Sequence, residues 1–526
     1  MADLRARARA ALHCRRGAAV TDLFANLALG ADVALSWSAL LYCLLGVTLG
    51  MIVGVLPGVG PLPAIAMLLP ITFYIDPTEA IIMLAGIYYG GQYGASTASI
   101  LLNLPGTPPA AVTCLDGYPM AKQGRAGQAL FMTAIASLIG SLFGIVLVAA
   151  FAPVLARFAL EFGAAEYFSL ILFALLGSAA IGGDSFFRSI SMVIVGLILG
   201  IVGQDVTSGQ FRFVFGIPGI ADGLSIVAVA MGIFGVAEVM ATAHQKRDMK
   251  PESFRFRKML PSRDELRRSW PAIGRGSGVG AICGTLPGAG ASMAVFIAYA
   301  LEKRVSRRPE AFGQGAIEGV TAPESANNAT AQTAFIPTLT LGVPGDAVMA
   351  VMIGALMIHG INPGPGLVSE QPQMFWGLVV SFVIGNAILV ILNIPLVGIW
   401  TRLLQIPYST LYPIILVLVC IGVYSINSSV FDIFLVILFG IVGYGMKLLR
   451  FPPAPLLLGF ILSPMMEENF RRALLLSRGD WSTFVTRPIS ATFVGLSVAV
   501  LLFSAGQVLL KLRRRDWARH RGAPEG

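Results

Sequence analysis

The sequence predicts an all-α polytopic membrane protein of about 11–12 transmembrane helices plus re-entrant or broken helices, in two structurally repeated halves. Three observations carry that prediction. Of 526 residues, 56% are hydrophobic and only 12% charged, about half the charge of an average soluble chain. That charge cannot cover a soluble surface of this size, which excludes cytosolic enzymes, secreted domains and disordered proteins. Long apolar runs, in place of short alternating ones, argue for helices over a transmembrane barrel. Second, glycine (59) and proline (31) are in excess. Simple anchors do not need them, but helices that break inside the membrane do. Third, the chain repeats itself.

The elements follow in order. Residues 1–20 are rich in Arg and Ala and have no apolar core where a signal peptide would place one. They read as a cytoplasmic tail, or as an over-extended start with Val20 as initiator. Apolar segments then run near 37–56, 80–102, 128–151, 165–183, 188–203, 222–243, 271–286, 289–302, 329–343, 345–360, 374–400, 411–426, 429–448 and 485–510. A crossing needs about 20 residues. The segments 289–302, 329–343 and 345–360 are too short and are bounded by Pro-Gly, so they read as half-helices or re-entrant pieces. The organisation is a tail (1–20), a first repeat (21–243), a basic loop (244–270), a second repeat (271–510) and a basic tail (511–526).

The net charge of +9 is concentrated in blocks. His244–Trp270 holds nine Lys or Arg against four acids, Glu302–Glu310 four against two, and the tail after Leu510 six against two. Lys and Arg stay on the cytoplasmic side, so these blocks and both termini are expected there, against the lipid surface and not against nucleic acid. The five cysteines and four histidines are scattered, with no metal or redox spacing. His359 stands alone and reads as a packed or interfacial residue.

The repeat is short but ordered. Gly54–Gly60 (GVLPGVG) matches Gly284–Gly290 (GTLPGAG), and Leu104–Pro108 (LPGTP) matches Val343–Ala347 (VPGDA). Each Pro-Gly interrupts an apolar stretch, and paired interruptions in two halves point to a transporter's binding site. A break exposes N–H groups suited to an anion and C=O groups suited to Na⁺. Close packing of helices through small residues is the plain structural alternative. Polar residues crowd the flanks: Gln92, Ser96, Thr97, Ser99 and Asn103 in the first half, and Glu324, Ser325, Asn327, Asn328, Thr330, Gln332, Thr333, Thr338 and Thr340 in the second. Such density in a membrane segment suggests a wet cavity. Each residue on its own is equally well read as an interhelical hydrogen-bonding group. Both Leu-Pro-Gly breaks follow a basic stretch, which points to parallel repeats, while the uncertain number of short segments leaves inverted repeats open.

The stretches GVLPGVGPLPAIAMLLP, YYGGQYGASTASILLNLPGTPPAAVTCLDGYPMAKQGRAGQAL and GTLPGAGASMAVFIAYALEKRVSRRPEAFGQGAIEGVTAPESANNA, followed by FIPTLTLGVPG and HGINPGPGL, resemble the large membrane subunit of the tripartite tricarboxylate transporters, from about Thr21 to Phe503. The resemblance implies an inner-membrane permease that works with a small four-helix membrane subunit and a periplasmic solute-binding protein. It implies import of citrate-like or other organic anions, driven by Na⁺ (or H⁺) and not by ATP, with no other cofactor. No GxxxxGK[ST] phosphate loop occurs in the chain. Carried onto these residues, the proximal breaks are Leu56, Pro57, Gly58 and Gly60, and Leu286, Pro287, Gly288 and Gly290. The distal breaks are Asn103, Pro105, Gly106, Thr107 and Pro108, and Pro344 and Gly345. Asp346 departs from the small or hydroxyl residue often found after the second Pro-Gly, and reads either as a cation ligand or as a solvated helix N-cap. Substrate and Na⁺ are expected between Ser96–Pro108 and Asn327–Gly345. An intramembrane enzyme would need an acid pair, an activated Ser or a metal cluster, a channel would need a continuous pore, and a structural subunit would not need polar membrane runs.

Overall fold

The computed structural model describes residues 23–56, 60–181, 185–205, 208–242, 259–286, 290–403 and 428–520, with isolated residues between 412 and 424. The N-terminal tail 1–20, most of the loop 244–270 and Pro57, Gly58, Pro287 and Gly288 lie outside them. Among the described residues the chain is almost wholly helical, with one two-stranded ribbon pairing Gly203–Gln204 with Phe211–Arg212.

The first half runs α1 (Leu23–Ala34), α2 (Trp37–Val55), α3 (Pro61–Thr72), α4 (Pro77–Leu102), α5 (Ala111–Lys122), α6 (Ala126–Ala159), α7 (Ala164–Ile181) and α8 (Phe186–Gly200). It closes with α9, which passes from Ile226–Ala230 through a π-helical stretch, Met231–Val236, into Ala237–Thr242. The second half runs α10 (Arg263–Thr285), α11 (Gly290–Val305), α12 (Glu318–Thr333), α13 (Phe335–Leu341), α14 (Ala347–Ile358), α15 (Pro372–Asn393), α16 (Val397–Leu403), α17 (Val430–Leu448), α18 (Pro453–Leu476) and α19 (Pro488–His520). Five of the described helices, α2, α6, α15, α17 and α19, are long and apolar enough to cross a membrane alone.

Local chemistry sets the starts. Asp76 caps α4, accepting from the Thr78 N–H at 2.9 Å, with Pro77 in the first turn. Ser262 and Glu265 form a reciprocal capping box on α10.

Packing within each half follows glycine spacing. Gly46, Gly50 and Gly54 of α2 lie on the backbone of α4 at Met83, Ile87 and Gly91. Gly276, Gly280 and Gly284 of α10 lie on α12 at Ala322, Ala326 and Thr330. A Cβ at any of these six would overlap a backbone carbonyl, so the four-residue spacing lets the helix backbones touch. These contacts also show that α2 runs parallel to α4, and α10 to α12.

The halves themselves are inverted. On α4, Tyr88 meets Phe335 (ring centroids 6.3 Å apart) and Asp346, while Ser96, further along, faces Glu324. Equivalent helices therefore run antiparallel, and α2 and α10 enter from opposite ends of the bundle. This differs from the parallel arrangement hinted at by the basic stretches, because the first of those stretches precedes α1 and does not flank α2 directly.

Further elements differ from the apolar segments read from sequence. The piece 329–343 is not a separate half-helix. It is the end of the α12–α13 column, which bends at Ala334 ahead of Pro337. The helix α18 escapes hydropathy because Glu467, Glu468, Arg471 and Arg472 sit in its second half. The short helices α3 and α5 escape it because each has only twelve residues.

The remaining helices make a second body. α7 packs on α18 and α19, α8 on α18, and α9 on α17. α3 and α14 bridge it to the repeat core, α3 touching α9, and α14 touching α9 and α18.

Candidate functional site

Each half carries two breaks, and the structure brings the two of each half together. After α2 the chain turns and returns as α3, making a helical hairpin; α10 and α11 make the same hairpin from the opposite end. Leu56 and Leu286 end α2 and α10 in extended geometry (φ −83° and −92°). Gly60 and Gly290 then open the return arm at φ 67° and 58°, a conformation glycine adopts without cost.

The distal breaks match equally well. α4 ends at Asn103 (φ 56°, ψ 30°) and α13 at Gly342 (φ 68°, ψ 19°), both left-handed caps. Pro105-Gly106 and Pro344-Gly345 then fold back. Gly106 packs on the Gly54 carbonyl and on Ala95, and Gly345 on the Gly284 carbonyl and on Ala334. Every partner in the second set is the repeat equivalent of its partner in the first. The last turn of α2 and of α10 thus lies directly against the distal turn of its own half.

Between these two junctions lies the densest buried polar surface among the described residues. All sixteen residues of α12 are buried. Glu324 sits in its middle, accepting hydrogen bonds from the hydroxyls of Thr113 on α5 and Ser137 on α6 (3.4 Å), with the Ser96 hydroxyl of α4 beside it and donating to the Gln92 carbonyl at 3.4 Å. The Asn328 amide donates to Ser137 at 2.8 Å and to the Glu324 backbone carbonyl at 3.1 Å. Around this network, buried polar atoms without a hydrogen-bond partner collect: the Thr97 and Ser141 hydroxyls, both ends of Asn327 and Gln332, and Oδ1 of Asn328. Buried polar groups are nearly always satisfied, so the concentration of exceptions on α4, α6 and α12 marks a place built to receive something polar.

The candidates read from sequence divide accordingly. Ser96, Thr97, Glu324, Asn327 and Asn328 belong to the cluster. Thr107 is buried and donates to Gln92 Oε1 at 3.3 Å. Thr338 and Thr340 each donate back to a carbonyl of their own helix at 2.7 Å. Asn103 and Pro105 are exposed, and Asn103 acts as the end of α4. Pro344 and Gly345 are buried backbone at the second junction. Asp346 is the N-cap of α14, accepting from the Met349 N–H at 2.9 Å. It is not simply solvated, however: its other oxygen accepts from Tyr88 at 2.7 Å, tying the second distal break to α4 of the opposite half.

Sequence reasoning missed Thr113, Ser137 and Ser141, which are single hydroxyls on otherwise apolar helices and carry no local signal. It also missed Asp116. This buried carboxylate accepts from the N–H groups of Gly313, Gly315 and Ala316 at 2.8–2.9 Å and from Tyr299 at 2.9 Å, clamping the segment before α12 onto α5. The described residues hold no group of three or more His, Cys, Asp or Glu able to share a metal ion.

The two hairpins are not in equivalent surroundings. Nine of twelve residues in α3 are buried, under α9 and α14. Only five of sixteen in α11 are buried.

The family model of the tripartite tricarboxylate transporter TctA family matches residues 40–458. A relative from Agrobacterium vitis, described as an uncharacterized 52.8 kDa protein in the TAR-I ttuC' 3'region, is 49% identical over 483 residues, covering 92% of this chain and 96% of its own length. A second from the same organism, an uncharacterized protein in the TAR-II ttuC' 3'region, is 51% identical over 225 residues, 43% of this chain and 93% of its own length. No solved structure matches the chain.

Proposed function

The chain belongs to the tripartite tricarboxylate transporter TctA family, and from that premise we propose that it imports a tricarboxylate or a related organic anion across the bacterial inner membrane, coupled to Na⁺. It works as the large multi-pass permease beside a small four-helix membrane subunit and a periplasmic solute-binding protein. The observation that carries the site is the unpartnered polar cluster on α4, α6 and α12, lying between two inverted pairs of helix breaks. Discontinuous helices at a repeat interface are the usual way to present backbone dipoles to an anion and its cation.

The transport step follows from the unequal hairpins. The face bearing Arg125, Arg268, Arg275 and the exposed Lys303, Arg304, Arg307 and Arg308 is cytoplasmic by the positive-inside rule. The α11 hairpin opens on that face, and the covered α3 hairpin enters from the other. Alternating access is an exchange of these surroundings: the repeat core moves against the second body until α11 is covered and α3 is free. A cation crossing with the membrane potential gains about 2.3 kcal/mol per 100 mV and each negative charge on the anion costs the same, so the potential drives uptake without ATP when the cations outnumber the charges on the anion.

The test is Na⁺-dependent uptake of candidate carboxylates into vesicles carrying all three components, with Asn103→Ala and Asn328→Ala. Normal uptake by both variants at normal membrane levels would remove this placement of the site. Asn328, inside the cluster, is expected to lose more than Asn103, which ends a helix.

A further inference from the structure

We infer that Glu324, together with the hydroxyls of Thr113, Ser137 and Ser96, forms a binding site for one sodium ion, and that this ion neutralises the buried carboxylate. The inference deepens the permease reading by naming the coupling-ion site, and its test does not depend on the transported anion.

Glu324 stands apart from the other buried glutamates and from Asp116. Glu166, Glu265, Glu302 and Glu318 each pair with an arginine, respectively Arg487, Arg125, Arg275 and Arg268. Asp116 is held by three backbone N–H groups and a tyrosine. Glu324 is 1% exposed, and among the described residues no Lys, Arg or His bonds to it; its partners are neutral hydroxyls. The titratable groups facing it are Tyr93 from α4 and Cys114 from α5, and neither supplies positive charge. A carboxylate buried this way needs a positive charge beside it or a proton on it.

The surrounding atoms favour the ion. One helical turn beyond Glu324, on the same face, stand Asn327 and Asn328 with unpartnered Oδ1 atoms. Thr97, next to Ser96, and Ser141, one turn beyond Ser137, hold unpartnered hydroxyls. A proton on Glu324 would quench the charge but leave these oxygens unsatisfied. A hard cation uses both, since carboxylate, hydroxyl and amide oxygens are its preferred ligands and no nitrogen or sulfur ligand is required. Four helices contribute, α4 and α5 on either side of the first half's distal break, α6 after them and α12 of the second half, so filling the site ties the inverted repeats together.

The experiment measures the thermal unfolding midpoint of the purified full-length chain in NaCl, KCl and choline chloride at one ionic strength, at several pH values, without any organic anion. The wild type is expected to gain stability saturably with Na⁺ and not with K⁺ or choline. Thr113→Val and Ser137→Ala are expected to raise the half-saturating Na⁺ concentration about tenfold. Glu324→Gln is expected to ignore Na⁺, with a midpoint in choline at or above that of the wild type in choline, because its buried charge is gone. Three results would overturn the inference: no Na⁺ response in the wild type, an undiminished response in Glu324→Gln, or stabilisation by acid in place of Na⁺, which would make this a proton site. An intact Na⁺ response with no anion uptake would instead count against the anion-permease reading alone.

Discussion

Replacing Asp116 with alanine removes the acceptor for four donors at once: the Gly313, Gly315 and Ala316 N–H groups and the Tyr299 hydroxyl. The Gly315 and Ala316 bonds are buried, whereas those from Gly313 and Tyr299 are partly open to solvent. Leaving a buried donor unsatisfied costs about 1–3 kcal/mol, and the open ones find water. The two buried amides alone therefore predict a loss of about 2–4 kcal/mol for Asp116→Ala, using the lower half of that range for each. Asp116→Asn retains an oxygen that can accept from all three amides, since one oxygen, Oδ1, serves them now, so its loss is expected nearer 1 kcal/mol, the value of the weakened charge assistance. The assay is detergent unfolding or thermal inactivation of the purified chain, comparing both variants with wild type. Equal stability of Asp116→Ala and wild type, or a larger loss in Asp116→Asn than in Asp116→Ala, would refute the clamp.

Three more predictions follow from single contacts. Gly280→Leu drives a side chain onto the α12 backbone at Ala326 and is expected to cost at least about 1–3 kcal/mol; monodispersity after size exclusion should fall sharply, whereas Gly278→Leu, in open space, should be tolerated. The paired left-handed caps predict opposite responses: Asn103→Gly keeps or raises stability, while Gly342→Ala lowers it by about 1 kcal/mol. The Glu265 carboxyl, in the first turn of α10 ahead of its apolar stretch, is pushed up by burial but held below the usual carboxylate range overall by the Ser262 backbone N–H and hydroxyl and by Arg125. Because its folded value is depressed, its contribution is present above the unfolded value, about 4.3, and disappears as pH falls through the folded value. Glu265→Gln should therefore lower the midpoint near neutrality and flatten its decline at acid pH.

Much of the fold was legible because hydropathy and breaker residues report on burial and on backbone interruption directly. The Leu-Pro-Gly pairs located both hairpins, and Asn103, Pro105-Gly106 and Pro344-Gly345 located both distal turns. The glycine spacing at Gly46, Gly50 and Gly54, repeated at Gly276, Gly280 and Gly284, is a further copy of the repeat written as helix packing. Direction was not legible: antiparallel α4 and α12 are fixed by contacts such as Tyr88 with Asp346, between residues far apart in sequence. The polar crowding on α12 pointed to Glu324, Asn327 and Asn328. Thr113, Ser137 and Ser141 were hidden because an isolated hydroxyl on an apolar helix gains its meaning only from the carboxylate or amide that the fold brings to it. Asp346 carried both readings in sequence, and only Tyr88 across the interface shows that its cap is also a tie between halves.

The central claim is that both halves contribute to one binding site. It is tested most directly by thiol reactivity at Thr97→Cys and Asn327→Cys, each made alone in a chain whose native cysteines are replaced, in vesicles that still take up the transported anion. Anion and Na⁺ together are expected to protect both positions, one on α4 and one on α12, over the same concentration range. Protection of neither position while uptake continues, or protection of one half alone, would contradict it.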